Sequence, residues 1–284
     1  MSWRITRRSA LAAGAVVGLG GATVAAPRRV VSLNPCLDVI LVNVADTSQV
    51  AAISHYSREP SSSSIGPGAA AYPFTYESAE EVLALRPDLV LMGRHSSPAT
   101  RAALQRLAVR TELFAVPETV EDSLAQVRQV AAAVGRPKRG EGVVAEIEAA
   151  IAAATPPPGA RRLTALTYQS GGFATAPGTL MDEMMRRCGL DNAAAKYGLK
   201  RTGNIPLELL VADPPDVLLA GESAPGAPTW ADRILNHPAL ARSASHMHRA
   251  TFPQNLTFCG GPVLVRTAAM LAKARREALA GRAG

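Results

Sequence analysis

Polar and aromatic side chains follow the predicted β-strands of this chain, at positions where they could contact a ligand. The candidate ligand-binding residues are Asn34, Pro35, Cys36, His55, Tyr56, Arg94, His95, Tyr168, Phe173, Asn255 and Phe258. Aromatic rings offer flat apolar area with a polar rim, and an arginine can pair with a carboxylate or a phosphate. Because only 4% of the chain is aromatic, this concentration predicts a site for a large planar or macrocyclic ligand.

Each of these side chains also has a purely structural alternative. His55 could form a hydrogen bond within its own loop, and Arg94 could pair with an acid on the surface. Phe173 and Phe258 could close the core beneath loops, and Asn255 suits a turn. The sequence leaves these alternatives open.

Catalytic and metal-binding patterns are weak in this sequence. It contains no G-x-S-x-G elbow, no Walker loop and no dinucleotide-binding glycine fingerprint. His246-Met247-His248 would need further metal ligands nearby, and none is evident, so we predict an exposed loop there. No metal site, cofactor or catalytic residue is predicted. Two alternatives remain, a metal-ion site that uses His55 and His95 with an acid, and a secreted α/β enzyme with one of these histidines as general base.

The elements that would position these residues come from an internal repeat. The segment 80–93 recurs 128 residues later as 208–221, and each copy reads as a short helix, a Pro-Asp stop and a buried strand that ends at glycine. Proline cannot continue a helix, so each short helix must end before its Pro-Asp pair. A second, shorter sequence similarity relates Arg28–Leu33 to Arg161–Leu166. The repeat predicts two Rossmann-like, three-layer α/β lobes with a ligand cleft between them, because ligands bind beyond the carboxyl ends of strands in open α/β sheets.

The chain divides into four predicted segments. Residues 1–26 are a signal peptide, 27–118 the first lobe, 119–136 a single connecting helix and 137–284 the second lobe. Thr119 is the predicted N-cap of the connecting helix, with Asp122 at the capping-box position. Apolar residues at helical spacing continue to Val134.

The predicted signal peptide combines a basic start with an uncharged run. Arg4, Arg7 and Arg8 precede a stretch from Ser9 to Ala26 without any charge. The start also resembles a twin-arginine signal, and a retained membrane anchor is the competing interpretation. Removing those three arginines lowers the formal net charge from +7 to +4. The remaining basic residues are scattered, so no nucleic-acid partner is predicted, and the expected location is the periplasm.

The three cysteines, Cys36, Cys188 and Cys259, have no metal-knuckle spacing. One disulfide plus one free thiol is possible in an oxidising compartment. The interpretation that the sequence favours is that all three cysteines are small, buried side chains that form no disulfide.

These motifs together resemble the substrate-binding proteins of ABC transporters, in the branch that binds cobalamin and ferric siderophores. The similarity rests on the signal peptide and on the segments 29–35, 54–57, 80–91 and 215–216, in that order. It implies a monomer that holds a chelate such as cobalamin, a siderophore or haem in its cleft and delivers it to an inner-membrane permease–ATPase complex. It implies no catalysis.

The resemblance also suggests docking and specificity positions. Family members dock on the permease through one acid per lobe, and Glu208 falls on the second-lobe position. The first-lobe position falls near Ala99, where there is no acid. Cobalamin binders carry tryptophan at cleft positions that are Gly93 and about Thr202 here, so this chain departs from them at those two positions while cobalamin stays among the candidate ligands.

Overall fold

Two parallel β-sheets, one in each half of the chain, form the framework of the protein. The computed structural model describes residues 25–59, 62–221, 232–242 and 247–281. The first sheet has the strand order β3-β2-β1-β4-β5, and the second has the order β11-β10-β6-β8. A separate antiparallel ribbon pairs β7 with β9. The strands are β1 Val30–Ser32, β2 Val50–Ser54, β3 Phe74–Thr75, β4 Leu89–Gly93, β5 Thr111–Phe114, β6 Leu163–Tyr168, β7 Phe173–Ala174, β8 Leu190–Asn192, β9 Gly203–Asn204, β10 Val217–Ala220 and β11 His248–Thr251.

Helices cover both faces of each sheet, so each lobe has the three layers expected of an α/β domain. In β1, Val30 and Val31 point into different apolar clusters on the two faces of the first sheet. In β6, Leu163 and Leu166 do the same in the second sheet. The helices are α1 Pro35–Val44, α2 Ala79–Ala84, α3 Pro98–Arg106, α4 Val120–Ala133, α5 Pro137–Ala154, α6 Leu180–Arg187, α7 Leu207–Ala212, α8 Pro238–Arg242 and α9 Val263–Ala280.

The predicted repeat is present in the structure. Helix α2 and strand β4 have their counterparts in α7 and β10, each displaced by 128 residues. The Pro-Asp stop has the same function in both copies. Asp88 accepts hydrogen bonds from the backbone amides of Arg28 and Arg29 at 2.7 and 3.0 Å, at the start of β1. Asp216 likewise accepts from the backbone amide of Thr164 in β6 at 2.7 Å. Each aspartate therefore fixes a neighbouring parallel strand.

Helix α4 connects the two halves. Thr119 caps it, and the Asp122 side chain accepts from the Thr119 amide, which completes the capping box. Its N-terminus is also tied to the second lobe, because the Val120 amide donates to Glu183 of α6 at 2.8 Å. The helix is not an isolated rod, since one continuous apolar cluster includes α1, α4, α5, α6 and α9.

Several sequence predictions are corrected by the fold. Tyr168 is the last residue of strand β6 and fully buried, not a loop residue at the cleft. Met247 is buried and His248 begins β11, so this segment is not an exposed loop. His246 and residues 1–24 of the predicted signal peptide lie outside the described residues. Within the described ranges, no helix is both long and apolar enough to cross a membrane.

Candidate functional site

Two apolar cavities adjoin in the cleft between the lobes. Each has a volume of about 270 Å³. Val116, Pro117 and Phe258 line both of them. The first-lobe cavity also contacts Asn34, Cys36, Leu37, Gly93, Arg94, His95, Phe114, Ala115 and Gln126. The second-lobe cavity also contacts Phe173, Thr175, Thr179, Leu180, Met181, Met184, Thr202, Leu256, Thr257, Cys259, Leu264 and Thr267.

The wall of the first-lobe cavity is built from the ends of β1 and β4. Asn34 is the N-cap of α1, and its side-chain oxygen accepts from the Cys36 and Leu37 amides. A Cβ at Gly93 would lie 2.8 Å from the Asn34 side-chain nitrogen, so glycine permits this close approach. Arg94 is exposed and lines the cavity. Among the described residues, no acid pairs with its guanidinium, which is free to meet an anionic group of a ligand.

Not every predicted residue faces a cavity. Of the first-lobe candidates, Asn34, Cys36, Arg94 and His95 do, whereas Pro35, His55 and Tyr56 line neither cavity. In the second lobe, Phe173 and Phe258 do, and Asn255 does not. Tyr168 instead donates its hydroxyl to the Ile205 carbonyl at 3.1 Å, and burial raises its pKa to about 12, with a smaller effect from Glu208.

An aromatic cluster lies at the same edge of the first sheet, beyond β2 and β3. The His55 ring lies 3.9 Å from the Tyr56 ring and 5.0 Å from the Tyr76 ring, between centroids. Phe74 packs edge-on against Tyr76 at 5.5 Å. Tyr76 is 65% exposed. The sequence did not reveal it as a candidate, because it follows a two-residue strand that no run of apolar residues indicates.

A buried carboxyl group supports the loop that carries this cluster. Asp38 is fully buried in α1 and accepts from the Ser54 amide at 2.9 Å and the Ser57 hydroxyl at 2.7 Å. Burial raises the pKa of Asp38 well above its usual range, and the hydrogen bonds only partly oppose this. Glu77 accepts from the Ser54 hydroxyl at 2.6 Å, and burial raises its pKa too. His55 Nδ1 lies 4.0 Å from the Glu77 carboxylate.

The substitution Asp38→Asn should therefore change how stability depends on pH. Because the pKa of Asp38 is raised, the folded state binds more protons than the unfolded state, and wild-type stability falls as pH rises above the ordinary value of 3.8. Asparagine does not titrate, so the variant should gain stability relative to wild type between pH 4 and pH 8. Urea unfolding at several pH values measures this difference.

Asp46→Asn is the control of opposite sign for this experiment. Hydrogen bonds from Arg136 and then Arg139 lower the pKa of Asp46, so the stability that its replacement costs should be nearly constant above about pH 4 and should shrink as pH falls below 3.8. A stability difference between Asp38→Asn and wild type that stays constant with pH would contradict the assignment of Asp38.

The cysteines differ from the interpretation that the sequence favoured. Cys36 and Cys259 form a disulfide, and Cys188 is a buried free thiol. The bond joins the start of α1 in the first lobe to the segment that precedes α9 in the second. Asn255 connects the lobes as well, because its side-chain nitrogen donates to the Ser63 carbonyl at 2.6 Å.

Over the described ranges, no group of three histidine, cysteine, aspartate or glutamate side chains is arranged to hold a metal ion. Tyr56, Tyr76 and His55 each carry an oxygen or nitrogen atom that could bind a metal, but each is a single ligand on its own residue.

Solved structures of similar shape are periplasmic binding proteins. The heme-binding protein RhuT from Roseiflexus sp. RS-1, in its apo form, is 26% identical, with a TM-score of 0.72 over 88% of this chain and 98% of that chain. A periplasmic heme-binding protein from Pseudomonas aeruginosa is 22% identical, with a TM-score of 0.67 over 87% and 92% of the two chains. The vitamin B12-binding protein BtuF of Vibrio cholerae is 16% identical, with a TM-score of 0.66 over 89% and 98%.

The assignment of the chain to a family rests on its sequence. No curated protein sequence matches the chain significantly. The family model described as periplasmic binding protein, however, matches residues 30–245, from β1 in the first lobe to the end of α8 in the second. This match includes both copies of the repeat and most of the cleft. The chain therefore belongs to the periplasmic binding protein family.

Proposed function

We propose that this protein binds a haem-type chelate in its interlobe cleft and delivers it to an ABC importer. The observation that carries the proposal is the pair of adjoining apolar cavities, with the Arg94 guanidinium at the wall of one of them. A flat macrocycle with carboxylate groups matches both features, because apolar walls bury the ring and an arginine pairs with a carboxylate. The similarity to the heme-binding proteins from Roseiflexus and Pseudomonas supports this ligand class.

Individual side chains have distinct proposed roles in this site. Val116, Phe173 and Phe258 contact the faces of the ligand, and Arg94 with His95 binds its polar edge. His55 and Tyr56, together with Tyr76, offer nitrogen and phenol oxygen atoms for the chelated metal. Asn255 holds the cleft wall through its bond to the first lobe, and Asn34 shapes the cavity as a helix cap.

A direct binding experiment tests the proposed function. The mature protein is titrated by calorimetry with hemin, cyanocobalamin and a ferric catecholate siderophore, with free Zn²⁺ and Mn²⁺ beside them. Hemin should bind most tightly. Tight binding of a bare metal ion without any chelate would instead favour the metal-ion alternative. Mass spectrometry of ligand that co-purifies from the periplasm provides an independent identification.

Arg94→Ala should weaken hemin binding roughly ten- to a hundredfold, because a charge-assisted hydrogen bond is worth about 1.5–3 kcal/mol. Hemin dimethyl ester, in which both carboxylates are esterified, should lose little affinity. Arg106→Ala, which removes an exposed arginine of α3 that lines neither cavity, is the control. Equal weakening of both ligands by Arg94→Ala would show that Arg94 acts on the shape of the site and not on ligand charge.

Export of the protein is part of the same proposal. The segment 1–26 is proposed as the signal peptide, so that the mature chain starts at about Pro27 in the periplasm. The Pro27 carbonyl accepts from the buried Gln49 side chain at 2.7 Å, which supports a folded start near this residue. The proposed mature protein comprises the lobe 27–118, the connecting helix 119–136 and the lobe 137–284, and acts as a monomer.

Docking on the permease is proposed to use one glutamate of each lobe. Glu208 is exposed at the second position of α7, and the repeat places Glu80 at the same position of α2, also exposed. We propose Glu80, and not the neighbourhood of Ala99, as the first-lobe docking residue. Both acids lie on helices that line neither cavity.

Reversing both charges should separate delivery from binding. The double variant Glu80→Lys/Glu208→Lys should lower transport at least tenfold in vesicles that contain the cognate importer, since like charges would then face each other if the importer presents arginines. Hemin affinity should stay within about twofold of wild type. Glu148→Lys, on the exposed side of α5, is the matched control. Unchanged transport by the double variant would contradict this docking surface.

A further inference from the structure

The loop 253–261, between β11 and α9, belongs to the second lobe in sequence but is attached to the first lobe. The Asn255 side chain donates to the Ser63 carbonyl at 2.6 Å, and the disulfide joins Cys259 to Cys36 at the start of α1. The two attachments lie at either end of the part of this loop that faces the cleft.

The end of the loop also packs closely against the connecting helix and α1. The Gly261 amide donates to the Ser123 hydroxyl of α4 at 2.7 Å. A Cβ at Gly260 would lie 2.5 Å from that hydroxyl, and one at Gly261 would lie 2.7 Å from Ile40 of α1. Gly261 has a φ of +64°, which favours glycine. The loop therefore follows the first lobe with little freedom of position.

Phe258 connects this attachment to the ligand site. It precedes Cys259 directly, is 42% exposed and lines both cavities. Cys259 lines the second-lobe cavity and Cys36 the first-lobe cavity, so the sulfur–sulfur bond lies where the two cavities adjoin.

We propose that the Cys36–Cys259 disulfide is a positioning element of the ligand site: it holds Phe258 between the two lobes, so that ligand affinity depends on the bond. The inference rests on the proposed function, because it concerns the same cleft. Without the bond, hydrogen bonds and the close packing of Gly260 and Gly261 still hold the end of the loop, but no covalent link fixes the segment that carries Phe258. If the loop is correctly placed in only a fraction of the molecules before ligand binds, the ligand affinity falls in proportion to that fraction.

The first test compares oxidised and reduced wild-type protein. A phosphine reductant transfers two electrons to the disulfide, which takes up two protons to give two thiols, while water supplies the oxygen of the phosphine oxide. After removal of the reductant without air, hemin affinity should be about tenfold lower. Reoxidation with glutathione disulfide, which is reduced to two glutathione thiols, should restore it. The double variant Cys36→Ser/Cys259→Ser should behave like the reduced protein.

A matched control separates positioning from general stability. Ile147→Ala removes a fully buried side chain of α5 that lines neither cavity, so it destabilises the fold but leaves the disulfide intact. Its hemin affinity should stay within about twofold of wild type at a temperature where it is folded. Equal affinity of oxidised and reduced wild type would overturn the proposal, as would a loss in Ile147→Ala as large as that caused by reduction.

A measurement without ligand keeps this inference distinct from the proposed function. Amide hydrogen exchange in residues 254–261 should become at least tenfold faster on reduction, measured at times too short for the core amides in the middle of α9, which exchange through global unfolding. If oxidised protein fails to bind hemin, the proposed ligand is wrong, and the exchange rates still decide whether the bond positions the loop. Unchanged exchange in this loop would overturn the role of the disulfide whatever the ligand.

Discussion

Replacing both Cys36 and Cys259 with alanine should lower the free energy of unfolding by about 4 kcal/mol, the largest stability effect that we expect from the side chains at the cleft. The two cysteines are separated by 223 positions in the sequence. A bond across so long a loop strongly restricts the unfolded chain, and in the entropic account its stabilisation grows with loop length. Urea unfolding of the double variant and the oxidised wild type measures the difference.

The thiol content and a single-cysteine variant provide the controls. Denatured oxidised protein should contain one reactive thiol, from Cys188. Cys188→Ala keeps the disulfide and removes only one buried sulfur atom, so its loss of stability should be clearly smaller. Three reactive thiols in the exported protein, or the same unfolding midpoint for the double variant and wild type, would contradict the assignment.

Phe258→Ala should weaken hemin binding about ten- to a hundredfold, which corresponds to about 1.4–2.8 kcal/mol. Phe258 lines both cavities, so its ring would contact a ligand that occupies either of them. Aromatic side chains in well-packed pockets carry a large share of binding energy. Because the ring is partly exposed without ligand, its removal should change stability much less than affinity. Calorimetry with hemin and a thermal unfolding curve of the same sample test both statements.

Leu113→Ala is the matched control for Phe258→Ala. Leu113 is 56% exposed on the edge strand β5 and lines neither cavity, so the variant should bind hemin with unchanged affinity. A loss of affinity of the same size in Leu113→Ala would mean that apolar surface in general, and not the cleft, holds the ligand. Wild-type affinity in Phe258→Ala would remove Phe258 from the site.

The local sequence determined the architecture of this protein. Buried apolar runs, proline breaks and the 128-residue repeat are properties of neighbouring residues, and they predicted two α/β lobes with the correct paired helices and strands. The capping box at Thr119 likewise predicted where α4 begins. The candidates Arg94, Phe173 and Phe258 were found because they follow strand ends or stand in polar loops, and all three line a cavity.

Contacts between distant segments were decided only by the tertiary structure. Spacing along the chain could not pair Cys36 with Cys259, because the helices of both lobes must pack before the two thiols meet. Tyr168 and Tyr76 both follow a threonine near a strand end, but β6 includes Tyr168 as its last residue and buries it. Tyr76 follows a strand of two residues that forms only by pairing with β2. Helix and strand patterns are local, whereas disulfide pairing, edge strands and the shape of a cleft depend on which surfaces the packed lobes bring together.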